Sequence, residues 1–161
     1  MGVSGSGKSL IGAAFARAIG VDFVEGDDYH PAENVARMAL GIPLTDEDRL
    51  PWLRALARRI RSAKEAGSGL VLACSALKRS YRDLLREESG VPQLQFIFLH
   101  GPRALIAERL AGRRGHFMPA TLLESQFAVL EEPAPNEKAW VCDVRQTPEA
   151  IVAALVARAS T

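Results

Sequence analysis

Residues 2–9 read GVSGSGKS and fit G-x-x-x-x-G-K-[ST], the spacing of a backbone loop that wraps a phosphate. No other feature constrains the chain as tightly. Gly2, Gly5 and Gly7 tolerate positive φ, so the loop can turn several N–H groups toward one anion. An apolar stripe begins directly after the lysine: Leu10, Ile11, Ala14, Phe15, Ala18 and Ile19 share one helical face. The loop is therefore expected to enter a helix from Lys8 to Ile19 that stops at Gly20. The first N–H groups and the dipole of that helix add to the pull on an anion. The Lys8 ammonium is expected at the β and γ phosphates of ATP, and the Ser9 hydroxyl on Mg²⁺. Gly2, Val3, Ser4, Gly5, Ser6 and Gly7 then form the cradle. A flexible Gly/Ser terminus would not lead into such a helix.

The rest of the chain alternates strand-like and helix-like segments, which predicts an α/β domain with a parallel sheet flanked by helices. VDFV (21–24), LVLAC (70–74), LQFIFL (94–99) and WVCDV (140–144) are the strand candidates. LVLAC is uninterrupted apolar sequence, as expected of a strand covered on both faces. Helices are expected from Pro31 to about Leu40, from Thr45 to about Ala66, from about Lys78 to Glu88, from Pro102 to about Ala111, from Pro119 to about Leu130, and after Thr147. Thr45 with Asp48 three residues on reads as a capping box. The 161 residues make one domain, with a closing segment expected at about 112–130.

Composition excludes some classes. The formal net charge is +1, which offers no field for gripping nucleic acid or an anionic membrane. No apolar run approaches the ~20 residues of a membrane span, and no basic-then-apolar leader opens the chain, so a cytoplasmic protein is expected. Cys74 and Cys142 sit in apolar runs without Cys or His neighbours, so they read as buried thiols and not as zinc ligands.

Carboxylates for the acceptor side are concentrated in EGDDYHP, directly after VDFV. Ligands in open α/β sheets bind beyond the carboxyl ends of strands, which puts Glu25, Asp27 and Asp28 near the phosphate loop. Strand alternation places Glu25 and Asp27 on one face. Asp27 is expected to accept or orient a substrate hydroxyl proton, and Glu25 to hold a metal-bound water. His30 suits a polyol or a helix cap. Arg49, set among carboxylates in TDEDRLPW, suits either a surface salt bridge or a substrate carboxylate. Lys78, just past a strand, can reach the same pocket, while Arg79 and Arg82 read as surface residues of the following helix. RLAGRRGHF (109–117) has glycine hinges around paired arginines, as in a lid that closes on ATP. Arg109, Arg113 and Arg114 are its cations.

Several motifs then coincide. GVSGSGKS, D-x-x-HP (27–31), G-x-P-L-x-D-x-D-R-x-P-W-L (41–53), CSALK-x-x-YRDLLR (74–86), GHF (115–117) and Q-F-x-x-L-E (126–131) together resemble the thermoresistant gluconate kinases. The resemblance spans essentially the whole chain in order. It implies ATP- and Mg²⁺-dependent phosphorylation of D-gluconate at the 6-hydroxyl, an adenylate-kinase-like P-loop fold with strand order 2-3-1-4-5 and a lid, and a homodimer. It gives a reason for His30, Arg49, Lys78 and His116 as gluconate-binding residues, and for Lys8, Asp27, Arg113 and Arg114 as the catalytic set. A shikimate-type or nucleotide kinase of the same fold is the alternative enzyme, against which CSALK speaks; a non-catalytic ATP-binding module is the alternative outside enzymes. The strand before the phosphate loop is central in this fold, yet only Met1 precedes Gly2. That central strand is therefore truncated, and Met1 is expected to be an internal methionine with apolar residues upstream.

Overall fold

The computed structural model describes residues 1–112 and 120–160. Among them are four strands, β1 (Asp22–Glu25), β2 (Leu70–Ala73), β3 (Ile97–His100) and β4 (Trp140–Asp143). Seven helices accompany them: α1 (Lys8–Ile19), α2 (Ala32–Ala39), α3 (Asp46–Glu65), α4 (Arg79–Ser89), α5 (Arg103–Ala111), α6 (Ala120–Val129) and α7 (Pro148–Ala159). The expected helices are all present. The strand that the sequence pattern starts at Leu94 starts at Ile97 instead. No described helix is long and apolar enough to cross a membrane.

Local chemistry explains the helix ends. The Thr45 hydroxyl accepts from the Asp48 N–H at 3.2 Å, and the Asp48 carboxylate accepts from the Thr45 N–H at 2.8 Å, which is the capping box. Near the other end of the chain, the Thr147 hydroxyl accepts from the Ala150 N–H at 3.2 Å and starts α7. Gly20 and Gly90 stop α1 and α4 in the left-handed conformation. In α3, Trp52, Leu53, Leu56, Ala57, Ile60 and Ala63 recur at three- and four-residue spacing and form its buried face.

β1 pairs in parallel with β2, and β3 with β4. The two half-sheets are joined by the first two residues. The Met1 amino group donates to the Ile97 carbonyl, the Leu99 N–H donates to the Met1 carbonyl at 3.0 Å, and the Gly2 N–H donates to the Ser75 carbonyl at 3.1 Å. Met1 and Gly2 thus occupy the central lane, between β2 and β3, that the resemblance implies for the first strand. One core, with Met1, Trp52, Leu56, Tyr81, Leu85 and Phe98, lies on the α3–α4 face. The other, with Val3, Ile11, Phe15, Leu99, Ile106 and Leu155, lies on the α1–α5–α7 face. The result is a three-layer α/β domain.

Beyond Met1 the lane widens into an apolar cavity of about 270 Å³, bordered by Phe15, Leu70, Leu72, Phe96, Ile97 and Trp140 among others. This corrects the expectation for LVLAC: Leu70, Val71 and Leu72 are only partly buried, because they border that cavity.

A second correction concerns α4. Arg82 is not on the surface; it is fully buried, with 0% of its side chain exposed. Its Nε and Nη2 donate to the two oxygens of Glu137 at 2.6 and 2.8 Å. Its Nη1 donates to the carbonyls of Ala76, Leu77 and Glu131 at 3.1, 3.3 and 3.0 Å. The guanidinium fork suits this set of acceptors. It holds the Glu137 carboxyl down at about 2. It also fixes the turn at Ala76, which has a left-handed φ of 42°. Arg79, by contrast, is exposed as expected.

These contacts make Arg82 a stability determinant. Arg82→Met should cost about 3–5 kcal/mol in urea unfolding, because it strands a buried carboxylate; a loss below about 1 kcal/mol would show that the pair is dispensable.

Candidate active site

The phosphate loop is held against both half-sheets by contacts that exclude side chains. Gly2 has φ 140°, and a Cβ there would lie 2.9 Å from the Leu99 carbonyl oxygen. Gly5 has φ 79°, and its Cβ would lie 3.1 Å from the Ile106 carbonyl oxygen on α5. Gly7, at φ 95°, precedes α1 and offers no side-chain cap to its first N–H groups. Those donors are left to an anion. The Lys8 ammonium arches back to the Val3 carbonyl at 3.0 Å, across the concave side of the loop. Ser6 is fully buried, and its hydroxyl has no hydrogen-bond partner among the described residues. Ser9 stands in the first turn of α1.

The acidic stretch does not continue β1. A 3-10 turn takes over at Gly26–Tyr29, so strand alternation stops at Glu25 and no longer relates Glu25 to Asp27. Two contacts force the turn. A Cβ on Gly26 would sit 2.3 Å from the Ala73 carbonyl oxygen, and the Trp52 Nε1–H donates to the Gly26 carbonyl at 2.7 Å. The His30 ring stacks on Trp52, with centroids 4.2 Å apart and planes 12° apart. Burial pushes His30 down to about 4; the Asp27 charge opposes that shift and the Arg49 charge adds to it. The imidazole is therefore neutral near pH 7. Its Nδ1 is buried without a partner among the described residues, a polar atom suited to a ligand hydroxyl.

The buried thiol of Cys74, just past β2, is pushed up to about 12, chiefly by burial, and feels both the Asp27 and the Lys8 charges. A thiol so protonated is no nucleophile. Cys142 is likewise buried and free.

A third group forms around Asp46, on which the Arg49 charge also acts. Lys78 Nζ lies 2.7 Å from both oxygens of Asp46, and the Tyr81 hydroxyl donates to one of them. These hydrogen bonds, Lys78's first, hold the Asp46 carboxyl below its usual range. Burial and the Asp46 contact push the Tyr81 phenol up. Asp48 is taken by Arg37 at 3.0 Å. With both neighbouring acids engaged, Arg49 forms no ion pair among the described residues, yet its charge acts on His30, Asp46 and Tyr81. The surface salt bridge that its sequence setting suggests is not formed there.

The remaining expected residues divide. Arg109, near the end of α5, donates to the Val144 carbonyl at 2.8 Å and so borders the loop after β4. Glu25 ends β1 opposite Ala73. Among the described residues no three acidic, His or Cys side chains gather as a metal cage. A Mg²⁺ ion that keeps waters and takes phosphate oxygens needs only one or two side chains, and Ser9 and Glu25 carry oxygens of the kind such an ion takes. Arg113, Arg114 and His116 lie outside the described residues. The sequence reading gives Asp46, Trp52, Tyr81 and Gln126 no role of their own, although each is a fixed letter of a motif that carries the family resemblance. Gln126 on α6 accepts the Ser4 N–H of the phosphate loop at 2.7 Å.

The His30 environment predicts a pH dependence. Its folded value of about 4 lies below the ordinary 6.5, so between those values the folded state binds fewer protons than the unfolded chain. Its contribution to stability therefore rises with pH across that window, is complete above 6.5, and is lost as the pH falls toward 4. Urea unfolding should show a steeper gain in stability across this window in the wild type than in His30→Gln; equal slopes would remove His30 as a source of it.

Comparison with known proteins bears on the family and the fold. The shikimate kinase family profile matches residues 4–158. The thermoresistant gluconokinase of Escherichia coli K12 is 43% identical over 97% of this chain and 89% of its own. A gluconokinase crystal structure from Sinorhizobium meliloti 1021 superposes with TM-score 0.85 at 51% identity, over 94% of this chain and 84% of its own. An unliganded sugar kinase from Janibacter sp. HTCC2649 gives TM-score 0.92 at 50% identity, over 98% and 90%. A P-loop of this kind binds a nucleotide, and by these similarities the chain belongs to the gluconokinase family of P-loop kinases, within the wider shikimate kinase group.

Proposed function

We propose that the protein transfers the γ-phosphoryl group of ATP to the 6-hydroxyl of D-gluconate, giving ADP and 6-phospho-D-gluconate. One observation carries this reading beyond family membership: the half-buried His30 ring, stacked on Trp52, has a buried Nδ1 without a partner among the described residues, the Asp27 and Arg49 charges both act on that ring, and Arg49 has no ion-pair partner among the described residues. Such a pocket offers an acceptor for a hydroxyl proton, a polar ring for a polyol and a cation for a carboxylate.

In the proposed reaction the 6-oxygen forms a bond to the γ-phosphorus as the bond from that phosphorus to the β,γ-bridging oxygen breaks. Asp27 orients the hydroxyl and takes its proton. Lys8 and the loop N–H groups hold the phosphates of ATP. Ser9 and Glu25 are the residues that would hold Mg²⁺, which supplies charge neutralisation at the phosphates. Arg113 and Arg114 belong to a lid that closes on the nucleotide, with Arg109 and His116 flanking them; of the segment expected at about 112–130, the part from Leu123 onward is packed against the core and the phosphate loop and serves as its fixed base. Lys78 is already engaged by Asp46, so Arg49 is assigned to the gluconate carboxylate, with His30 and Lys78 lining the hydroxyls. The enzyme is taken to work as a homodimer in the cytoplasm.

A coupled assay with ATP, Mg²⁺ and gluconate, shikimate, glycerate or AMP should give ADP release with gluconate alone; turnover only with shikimate or AMP would sink the reading. Asp27→Asn should lower kcat by roughly 10²–10⁴-fold, and full activity would remove Asp27 from its role. Arg49→Ala should raise the KM for gluconate about 10–100-fold with a smaller effect on kcat. If Lys78→Ala does that instead, the carboxylate lies on the other cation.

A further inference from the structure

The stretch QFAVLE (126–131) is not used by the chemistry above, yet it touches both halves of the site. At one end, Gln126 Oε1 accepts the Ser4 N–H at 2.7 Å. The backbone N–H is a donor only, so the amide of Gln126 must present its oxygen there, and its NH₂ is thereby fixed beside the phosphate loop. At the other end, Glu131 bonds to the turn that opens α4 and to α4 itself. Its N–H donates to the Leu77 carbonyl at 2.9 Å. Its carboxylate accepts the Arg79 N–H at 2.6 Å, and its carbonyl accepts from Arg82 at 3.0 Å. Between the two ends, Leu130 packs against both cores, and the Phe127 ring lies under the Arg103 guanidinium at 5.0 Å.

This run is a strut. Its Glu131 end is anchored to the Leu77–Arg79 turn, next to the Lys78–Asp46–Tyr81 group. Its Gln126 end grips the phosphate loop, 122 residues away in sequence. We propose that Gln126 is a positioning residue for phosphoryl transfer. It sets the Ser4 segment of the loop against the transferring phosphoryl group, and it ties that setting to the acceptor side through Glu131. A preorganised donor array loses its advantage when one support of the array is removed, because the donors must then reorganise during the reaction. The site class and the acceptor rest on the gluconate kinase reading; the Gln126 contact does not.

The experiment compares the wild-type protein with Gln126→Met and Gln126→Glu. Methionine keeps length and packing but cannot accept the Ser4 N–H as an amide oxygen does. Glutamate keeps an accepting oxygen and replaces the NH₂ donor by negative charge next to the phosphates. For Gln126→Met the expected result is a kcat with gluconate reduced about 10–100-fold, a KM for gluconate within about threefold of wild type, and a thermal midpoint close to wild type. For Gln126→Glu, calorimetry without gluconate should show about tenfold or more weaker binding of a non-hydrolysable ATP analogue. A kcat within about twofold of wild type in Gln126→Met, or a fall in kcat only at temperatures where that variant is unfolding, would overturn the proposal. If the wild type itself fails to phosphorylate gluconate, the functional reading fails, and the calorimetry still judges Gln126: unchanged nucleotide affinity in both variants then overturns its role.

Discussion

The guanidinium of Arg82 is the interaction on which the site depends. It satisfies the Glu137 carboxylate and reaches three backbone carbonyls from a fully buried position. Each of those carbonyls belongs to a segment without regular structure of its own: the turn after β2 and the stretch after α6. A hydrophobic core cannot fix such segments, because their polar backbone would be left unpaired. The buried ion pair fixes them by supplying five directed bonds from one rigid group. Its cost in desolvation is offset only while every bond is kept. Ser75, Lys78 and Glu131, which lie on those segments, reach Gly2, Asp46 and Arg79 respectively.

The second constraint is where the two half-sheets meet. Met1 and Gly2 are the only described residues in the central lane, and the phosphate loop starts there. The loop is therefore anchored to β3 through the Met1 carbonyl, to the end of β2 through the Gly2 N–H, and to α6 through Gln126. Three anchors from three elements hold a glycine-rich loop that has little intrinsic stiffness. The acid turn completes the arrangement from the β1 side, where Trp52 braces both the Gly26 carbonyl and the His30 ring.

What is legible in the sequence is what is decided locally. The phosphate loop, the helix behind it, the Thr45–Asp48 box and the Thr147 cap each depend on residues close to one another in the chain, and each is present. The expectation that Asp27, His30 and Arg49 serve one site comes from position after strands and from family motifs. The errors have a common physical origin in tertiary contact. Local pattern puts Arg82 on the surface because its partner Glu137 is 55 residues away and leaves no local trace. It puts Glu25 and Asp27 on one face because the Trp52 and Ala73 contacts that force the 3-10 turn come from distant elements. The Asp46 carboxylate looks like part of an acidic cap, whereas its partners Lys78 and Tyr81 begin 32 residues later. Gln126 belongs to the Q-F-x-x-L-E motif, but nothing in that motif points to the Ser4 amide.

The central claim is that one pocket, between the acid turn and the phosphate loop, takes a sugar acid with its terminal hydroxyl toward ATP. A crystal structure with D-gluconate and a non-hydrolysable ATP analogue tests it most directly. The 6-hydroxyl should lie within hydrogen-bonding distance of the Asp27 carboxylate, with the gluconate carboxylate on Arg49 and the triphosphate on Lys8. Gluconate bound with its carboxylate toward the phosphate loop, or away from Asp27 altogether, would contradict the account.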